Sequence, residues 1–172
     1  MTTVVFDGSI LAVANAGAEE RLKYFKNTIM FMHDEIMAIA LTGPADYVKA
    51  ILGVLCSSIT FYDTMDAMSN IMGDNVVEGI VLSKKGPHHV KLSSEGFFVK
   101  WLDAKPAAVG TGSQAVLMAF NMKPTLNAID AVALASRVDS NTSGTISHFS
   151  LSIPVLGVEV GEECSLINFA NL

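Results

Sequence analysis

The stretch MTTVVFDGSILAVA (residues 1–14) opens the chain and predicts a β-hairpin. Two β-rich apolar runs flank the pair Asp7-Gly8. A short Asp-Gly connection between such runs is a strong hairpin signal, and both central residues of that turn need positive φ. The first strand begins with two threonines, Thr2 and Thr3. Thr2 is therefore either an ordinary edge-strand residue or a hydroxyl placed for chemistry, and the rest of the sequence has to separate these alternatives.

Beyond the hairpin, blocks of predicted strands alternate with blocks of predicted helices. A second hairpin is expected around 28–41, and the apolar period changes to three and four residues after an N-cap at Asp46. One face of that helix is predicted to carry Val48, Ile51, Leu52 and Leu55. Short strand-like runs divided by turn residues return over 79–110 and predict a four-stranded antiparallel meander.

Two more helices and two closing strands complete the pattern. Helices are predicted at 113–120 and at 125–138, the second with Thr125 as its cap, and strands at 146–153 and 155–160. The order strands, helices, strands, helices, strands favours an α+β fold over repeated βαβ units. Two packed antiparallel sheets with helices on both outer faces would bury almost every strand residue.

The composition indicates one domain, residues 1–172, that buries more than an ordinary monomer surface. Its side chains are 51% hydrophobic and only 16% charged. No stretch offers the ~20 apolar residues of a membrane span, so we expect no membrane contact and a second subunit over the apolar surface. The net charge of −6, with a single short basic cluster at 84–89, argues against nucleic-acid binding.

The sequence shows no targeting or cofactor motif. Its start lacks the basic and apolar segments of a signal peptide, which leads us to expect a cytoplasmic protein. Cys56 and Cys164 are expected to be buried free thiols, and we expect neither a metal nor a cofactor. The stretch GTGSQA at 110–115 lacks the Lys-Ser/Thr ending of a phosphate-binding loop.

Four short segments, in this order and with these separations, resemble the proteasome β-subunit family and its HslV-type relatives. They are Thr2-Thr3-Val4-Val5 at the start, ALTGPAD at 40–46, AVGTGSQAVLMAF at 108–120 and DSNTSGT at 139–145. Small stand-alone proteasome-like proteins of bacteria and phages are similar in length and in the last segment. The resemblance spans the chain and implies the four-layer αββα sandwich of N-terminal nucleophile (Ntn) hydrolases. It also implies assembly into homo-oligomers such as rings.

The resemblance implies a catalytic arrangement around Thr2. In this family the mature N-terminal threonine attacks an amide carbonyl with its hydroxyl, and its own α-amine, with an ordinary pKa of ~8, acts as the base. Met1 must then be removed. Matching positions assign the orientation of Thr2 and its amine to Ser113, Asp139 and Thr142, and the oxyanion hole to backbone N–H groups near Thr42 and Gly43.

The chain departs from the family's pattern at a carboxylate and at its lysine partner. Asn15 stands where the family has an Asp, so that a neutral amide replaces a charge. Lys26 is the nearest candidate for the catalytic lysine, and Thr28 is an equally good match for the position. These differences favour a protein that keeps the fold and the self-assembly but has an impaired or capped site, and that works as a structural or interaction protein.

Three alternatives stay open. The main one is an active threonine peptidase or amidase that acts on peptide or protein substrates after removal of Met1. Another is a small-molecule binding module with its pocket near Thr2. Finally, Asp139 and Thr142 are equally explained as turn formers, and Ser113 as the N-cap of the following helix.

Overall fold

The structure is a computed structural model of the chain. It describes residues 1–26, 29–31, 34–55, 61–103 and 106–151, together with the backbone of Ser165–Asn168. Thr28, Cys56, Cys164 and the strand predicted at 155–160 lie outside these residues. No helix within the described ranges is long and apolar enough to cross a membrane.

Eleven strands and four α-helices are found in the described part of the chain. The strands are β1 (Thr3–Phe6), β2 (Ile10–Ala14), β3 (Leu22–Tyr24), β4 (Met30–Phe31), β5 (Asp34–Thr42), β6 (Val77–Ser83), β7 (Gly86–Ser93), β8 (Gly96–Trp101), β9 (Ala107–Gly110), β10 (Thr145–Ser150) and β11 (Ser165–Asn168). The helices are α1 (Ala45–Leu55), α2 (Phe61–Met68), α3 (Ser113–Met122) and α4 (Ala128–Val138), and a short 3-10 helix, Ser69–Ile71, follows α2.

The strands form two antiparallel sheets. The first has the order β11-β10-β2-β1-β9, and the second has the order β3-β5-β6-β7-β8 with β4 paired to β5. The predicted meander is confirmed for β6, β7 and β8. Its fourth strand was expected beside them, but β9 crosses to the first sheet and pairs with β1, with Thr3 opposite Gly110. The sequence pattern does not predict β3, because charged residues surround its three positions.

The opening hairpin is confirmed, with a different turn from the one predicted. Val4 lies opposite Val13 in antiparallel register. Three residues connect β1 to β2, and Gly8 is the one among them with a positive φ, 105°. Asp7 closes the turn with its backbone N–H, which donates to the carbonyl oxygen of Ile10 at 3.2 Å, and with its carboxylate, which accepts the N–H of Ser9 at 2.7 Å.

The three predicted helices, α1, α3 and α4, begin within three residues of their predicted starts. In α1 the buried residues are the four predicted ones, Val48, Ile51, Leu52 and Leu55. This helix begins at Ala45, so that Asp46 lies in its first turn and is not the N-cap. The cap of α4 is Asn127, whose side chain accepts the N–H of Asp130, and not Thr125.

Three buried apolar clusters lie between these elements. One joins α1 and α2 to the second sheet, one joins the two sheets, and one joins the first sheet to α3 and α4. Their members include, in the same order, Val48 and Val81, Val4 and Leu82, and Val5 and Val132. Consecutive residues of β1 thus belong to different clusters. The side chains at the beginning of this strand therefore alternate between the space between the sheets and the space under α3 and α4.

Candidate functional site

Thr3 is the first residue of β1 and Thr2 precedes it, and both are buried, with 0% and 1% of their surface exposed. In an extended strand, alternate side chains point to opposite faces. Val4 belongs to the cluster between the sheets, and Val5 belongs to the cluster under α3 and α4. Thr2 therefore lies on the side of the inter-sheet cluster, and Thr3 lies on the side of α3 and α4.

On the α3 and α4 side, Thr3, Thr111, Asp139 and Thr142 form a hydrogen-bonded group that we call the Asp139 cluster. Thr111 and Thr142 each donate a hydroxyl proton to Asp139 Oδ2 at 2.6 Å. Because the Thr142 proton is used there, Thr3 is the donor in the 2.7 Å contact between the hydroxyls of Thr3 and Thr142. The Thr3 hydroxyl in turn accepts the backbone N–H of Gly112 at 3.0 Å.

The Asp139 carboxylate is held in its charged form. Its partial burial acts to raise its pKa, but hydrogen bonds from Thr111, Thr142 and Asn141 outweigh this effect and leave the pKa below the ordinary value of 3.8. Thr111 also contacts the carbonyl oxygen of Met1, and its single proton serves one acceptor at a time. The cluster therefore presents a negative charge beside the first peptide bond of the chain.

The local sequence explains why Asp139 faces Thr142. Asp139 follows the last residue of α4, and the chain then turns so that the Thr142 N–H donates to the backbone carbonyl of Asp139 at 3.0 Å. Gly144 follows with a φ of 86°, a conformation that favours glycine. Asp139 and Thr142 therefore form the turn while Thr142 also contacts Thr3, so a role of this segment as a turn is compatible with a role at the start of β1.

A second hydrogen-bonded group, at the ends of β2 and β5, contains Asn15, Ala16, Arg21 and Gly43, and we call it the Arg21 cluster. The guanidinium donates to three carbonyl oxygens, from Nε to Asn15 at 2.7 Å, from Nη1 to Gly43 at 2.8 Å and from Nη2 to Ala16 at 2.9 Å. The side-chain oxygen of Asn15 accepts the backbone N–H of Arg21 at 3.0 Å. Arg21 thus ties the loop after β2 to the loop after β5.

Arg21 is a buried cation with neutral hydrogen-bond partners. Only 3% of its surface is exposed, and burial lowers the pKa of its guanidinium. Arginine nevertheless stays protonated in proteins because its guanidinium is a very strong base. Asn15 carries no charge, and its amide nitrogen donates to Thr145 Oγ1 at 2.7 Å and to Ser147 Oγ at 3.0 Å. The Arg21 cluster therefore holds a cation in place that stays protonated and cannot act as a base.

The resemblance leaves Lys26 and Thr28 as equal matches for the catalytic-lysine position, and the structure places a different residue, Arg21, beside Asn15. Lys26 is exposed, and its Nζ lies 5.8 Å from the centre of the Tyr24 ring. Sequence reasoning misses Arg21 because the segment AEERLKYFK has the polarity of a surface turn. The available signal is the presence of an arginine six residues after Asn15.

Ser113 is the first residue of α3 and is half-buried, and the N-cap of this helix is Gly112. The interpretation of Ser113 as the N-cap is therefore wrong by one residue. The hydroxyl that reaches Asp139 from this turn belongs to Thr111, two residues earlier. The segment 110–113 offers two hydroxyls, one within the Gly-x-Gly turn (Thr111) and one directly after it (Ser113). The sequence alone does not show which of them points to Asp139.

Thr42 and Gly43, at the end of β5, lie next to the backbone of Thr2. The Thr42 hydroxyl donates to the carbonyl oxygen of Thr2 at 2.9 Å. Gly43 has a φ of 140°, and an added Cβ would lie 2.8 Å from the carbonyl oxygen of Val76, so the position requires glycine. The buried hydroxyl of Thr2 itself has no hydrogen-bond partner among the described residues.

A cleft of about 610 Å³ borders the loop after β2 and the first helix, α1. Gly17 and Ala18 line it from the loop after β2, and Ala45 lines it from the start of α1. Its charged lining residues have both signs and are Glu19, Glu20, Lys23, Lys26, Asp46 and Lys49. The volume lies within the range of ~300–1,000 Å³ that is typical of small-ligand pockets.

The comparisons with known proteins bear on the fold. No protein-family model and no curated protein sequence matches this chain. Among solved structures, the match to Anbu from Hyphomicrobium sp. strain MC1 covers 99% of this chain and 91% of that one, with a TM-score of 0.60 and 12% sequence identity. Anbu is a bacterial proteasome-like protein of the Ntn-hydrolase type.

The fold is proteasome-like. The described part of the chain shares with that fold a mixed α and β composition, two antiparallel sheets and four helices. An identity of 12% carries the likeness no further than the fold, and the chemistry of the proteasome-like chain has to be argued from its own residues.

Proposed function

We propose that this proteasome-like protein self-assembles, carries an impaired Ntn site, and works as a structural or interaction protein. The Arg21 cluster is the observation that carries the proposal. Its buried guanidinium donates to Gly43, the neighbour of Thr42, and Thr42 contacts Thr2. The residue of this cluster that matches the family's carboxylate is the neutral Asn15. In place of the family's lysine and carboxylate, this chain therefore has the permanently charged Arg21 and the neutral amide of Asn15.

This chemistry disfavours activation of the Thr2 hydroxyl. A threonine hydroxyl is a weak nucleophile that needs an adjacent base, and a buried lysine can assist because its pKa shifts readily. Arg21 keeps its proton and directs its guanidinium donors at carbonyl oxygens. No described residue hydrogen-bonds the Thr2 hydroxyl, so none of them is placed to remove its proton. With Met1 attached, the nitrogen of Thr2 is a peptide amide and not a base.

The proposal includes the architecture and assembly of the family. The three buried clusters support one domain with four layers, in the order α1 and α2, the second sheet, the first sheet, and α3 and α4. The low share of charged residues, 16%, supports subunit contacts because contiguous apolar surface marks interaction sites.

Peptide hydrolysis by a chain that starts at Thr2 tests the impaired site. Cleaving an N-terminal fusion directly before Thr2 gives this chain a free α-amine, and the Thr2→Ala variant prepared in the same way measures the background. We expect the two chains to hydrolyse a mixed peptide library at the same rate. A rate about tenfold or more above the Thr2→Ala background, equivalent to ~1.4 kcal/mol of transition-state stabilisation, would contradict the proposal.

The second candidate function is a threonine peptidase or amidase that is active once Met1 is removed. The Asp139 cluster favours it, because a charged carboxylate with hydroxyls beside the first peptide bond can accept hydrogen bonds from a new ammonium group. Under this candidate, Asp139→Asn in the chain that starts at Thr2 lowers hydrolysis by about tenfold or more. Hydrolysis that does not depend on Asp139 would count against it.

A further inference from the structure

A histidine on the second sheet contacts two aromatic rings. His88 of β7 lies between Phe31 of β4 and Trp101 of β8, and we call these three residues the His88 stack. The centre of the His88 ring lies 5.2 Å from that of the Phe31 ring and 4.7 Å from that of the Trp101 ring, and both contacts are edge-to-face. His88 also lies opposite Trp101 in the antiparallel register of β7 and β8. The imidazole therefore connects a two-residue strand to the last strand of the sheet.

Other contacts also hold the two rings beside His88. Phe31 is 1% exposed, and its ring contacts the Phe61 ring of α2 edge-to-face at 5.2 Å. Trp101 is 44% exposed, but its indole packs on the turn between β6 and β7, where a Cβ added at Gly86 would lie 2.7 Å from Cη2. The backbone of β4 pairs with β5 at two positions. Because so short a pairing is weak, the contacts of the Phe31 side chain hold β4 in place.

The surroundings of the imidazole favour its neutral form. The Nδ1 atom of His88 is buried and has no hydrogen-bond partner among the described residues. A protonated ring carries a proton on both nitrogens, so protonation would leave a buried N–H donor without an acceptor. Burial lowers the pKa of His88 below the ordinary 6.5, and it outweighs a backbone hydrogen bond with Gly86 and the charge of Asp34, which both act to raise this pKa. His88 is therefore neutral in the folded chain at neutral pH.

Among the described residues, Asp34 of β5 is the charged group whose field acts on His88. Its carboxylate accepts the backbone N–H of Lys85 at 2.7 Å, and the positive charge of this lysine acts on Asp34 in turn. The other charged groups of the neighbouring elements are paired elsewhere, exposed on α2, or turned to the opposite face of β7 and β8 by the alternation of a strand. They are, in the same order, Glu35 with Lys84 and Glu78 with His89, then Asp63 and Asp66, then Lys91 and Lys100. Asp34 is therefore the group that opposes the effect of burial on His88.

We propose that His88 is a pH-sensitive switch that holds β4 on the second sheet. The neutral ring keeps its contacts with Phe31 and Trp101, whereas the protonated ring moves toward solvent to hydrate its second N–H, and β4 then separates from β7. The switch goes beyond the function proposed above and does not depend on it. Because the folded-state pKa of His88 lies below 6.5, the stack stabilises the fold fully above this ordinary value, and its contribution is lost as the pH falls towards the folded-state value.

Trp101 is the single tryptophan of the chain, so its fluorescence reports on the His88 stack. We expect the fluorescence of the full chain to change in one step as the pH falls from about 8 to about 4.5, with a midpoint below 6.5, and His88→Gln to remove the step. His89→Gln is the matched control and keeps the step, because the His89 ring contacts Glu78 at 3.2 Å instead. His88→Phe, which keeps a ring and does not titrate, replaces His88→Gln if circular dichroism shows that the latter does not fold.

Amide hydrogen exchange of a peptide that contains β4 tests the movement of this strand. After correction for the intrinsic effect of pH, we expect exchange in the wild-type chain to rise about tenfold relative to the His88→Gln variant between about pH 7.5 and about pH 5. A fluorescence midpoint above 6.5, or a step that persists in both His88 variants, would overturn the neutral stack. A fluorescence step without faster exchange of β4 would overturn the switch, since His88 would then titrate in place.

Discussion

The two clusters near the start of β1 differ in what they can do with a proton. The Asp139 cluster is a carboxylate kept charged by neighbouring hydroxyl donors, and it can receive a cation. The Arg21 cluster is a permanent cation held by three backbone carbonyls. Under the proposed function, the Asp139 cluster is the acceptor half of an Ntn-type site, whereas the Arg21 cluster joins two loops instead of tuning the nucleophile.

The largest expected effect comes from removing the fixed cation. Arg21→Met leaves the carbonyl oxygens of Asn15, Ala16 and Gly43 buried without their donor, and we expect a loss of about 3–5 kcal/mol in the free energy of unfolding. Urea unfolding measures it, with the exposed Lys91→Met as control. A loss below about 1 kcal/mol would mean that Arg21 does not hold the loops together.

The next effect concerns the close approach of β9 to the start of β1. Gly110 has a φ of 107°, and an added Cβ would overlap the carbonyl oxygen of Thr2, so Gly110→Ala is expected to cost about 2–4 kcal/mol. Gly17→Ala is the matched control, because Gly17 also has positive φ (77°) but has open space around its Cβ position. Its expected cost is about 1 kcal/mol. Equal losses for the two variants would show that the packing against Thr2 is loose.

A smaller, pH-dependent effect is expected at Asp139. The folded-state pKa of this carboxyl lies below the ordinary 3.8, so its charge adds stability above that pH and loses this contribution as the pH falls through the folded-state value. Asp139→Asn is expected to cost about 1–2 kcal/mol at pH 7, with the difference from wild type shrinking between about pH 5 and pH 2. Urea unfolding across this range measures it. A difference that does not change with pH would contradict a charged Asp139.

The smallest effect is expected at Asn15. An aspartate there can still accept the N–H of Arg21, and the hydroxyls of Thr145 and Ser147 can turn to donate to it. Asn15→Asp is therefore expected to change the free energy of unfolding by less than about 1 kcal/mol, and to produce no peptide hydrolysis while Arg21 remains. The hydrolysis assay on a chain that starts at Thr2 measures the second part. Turnover by this single variant would show that the arginine is compatible with catalysis.

The sequence predicts the elements whose signals are local. The opening hairpin, the buried face of α1 and the strands β6 to β8 depend on contiguous periodicity and turn residues. The contact between Asp139 and Thr142 is local too, since both belong to one turn after α4. For such features, the sequence neighbours are also the structural neighbours.

Features that depend on distant segments could not be predicted in the same way. The partners of Arg21 come from the ends of β2 and β5, and β3 becomes a strand only by pairing with β5. The transfer of β9 to the first sheet and the choice of Thr111 over Ser113 likewise depend on the position of β1. No pattern within any one of these segments carries that information.

Covalent labelling of Thr2 is the most direct test of the central claim that the site is impaired. A chain that starts at Thr2 is incubated with a threonine-directed covalent inhibitor, and its intact mass is measured beside that of the Thr2→Ala variant. Both masses are expected to stay unchanged. An adduct on the Thr2 chain that is absent from Thr2→Ala would contradict this claim, and would show that the hydroxyl is activated despite Arg21 and Asn15.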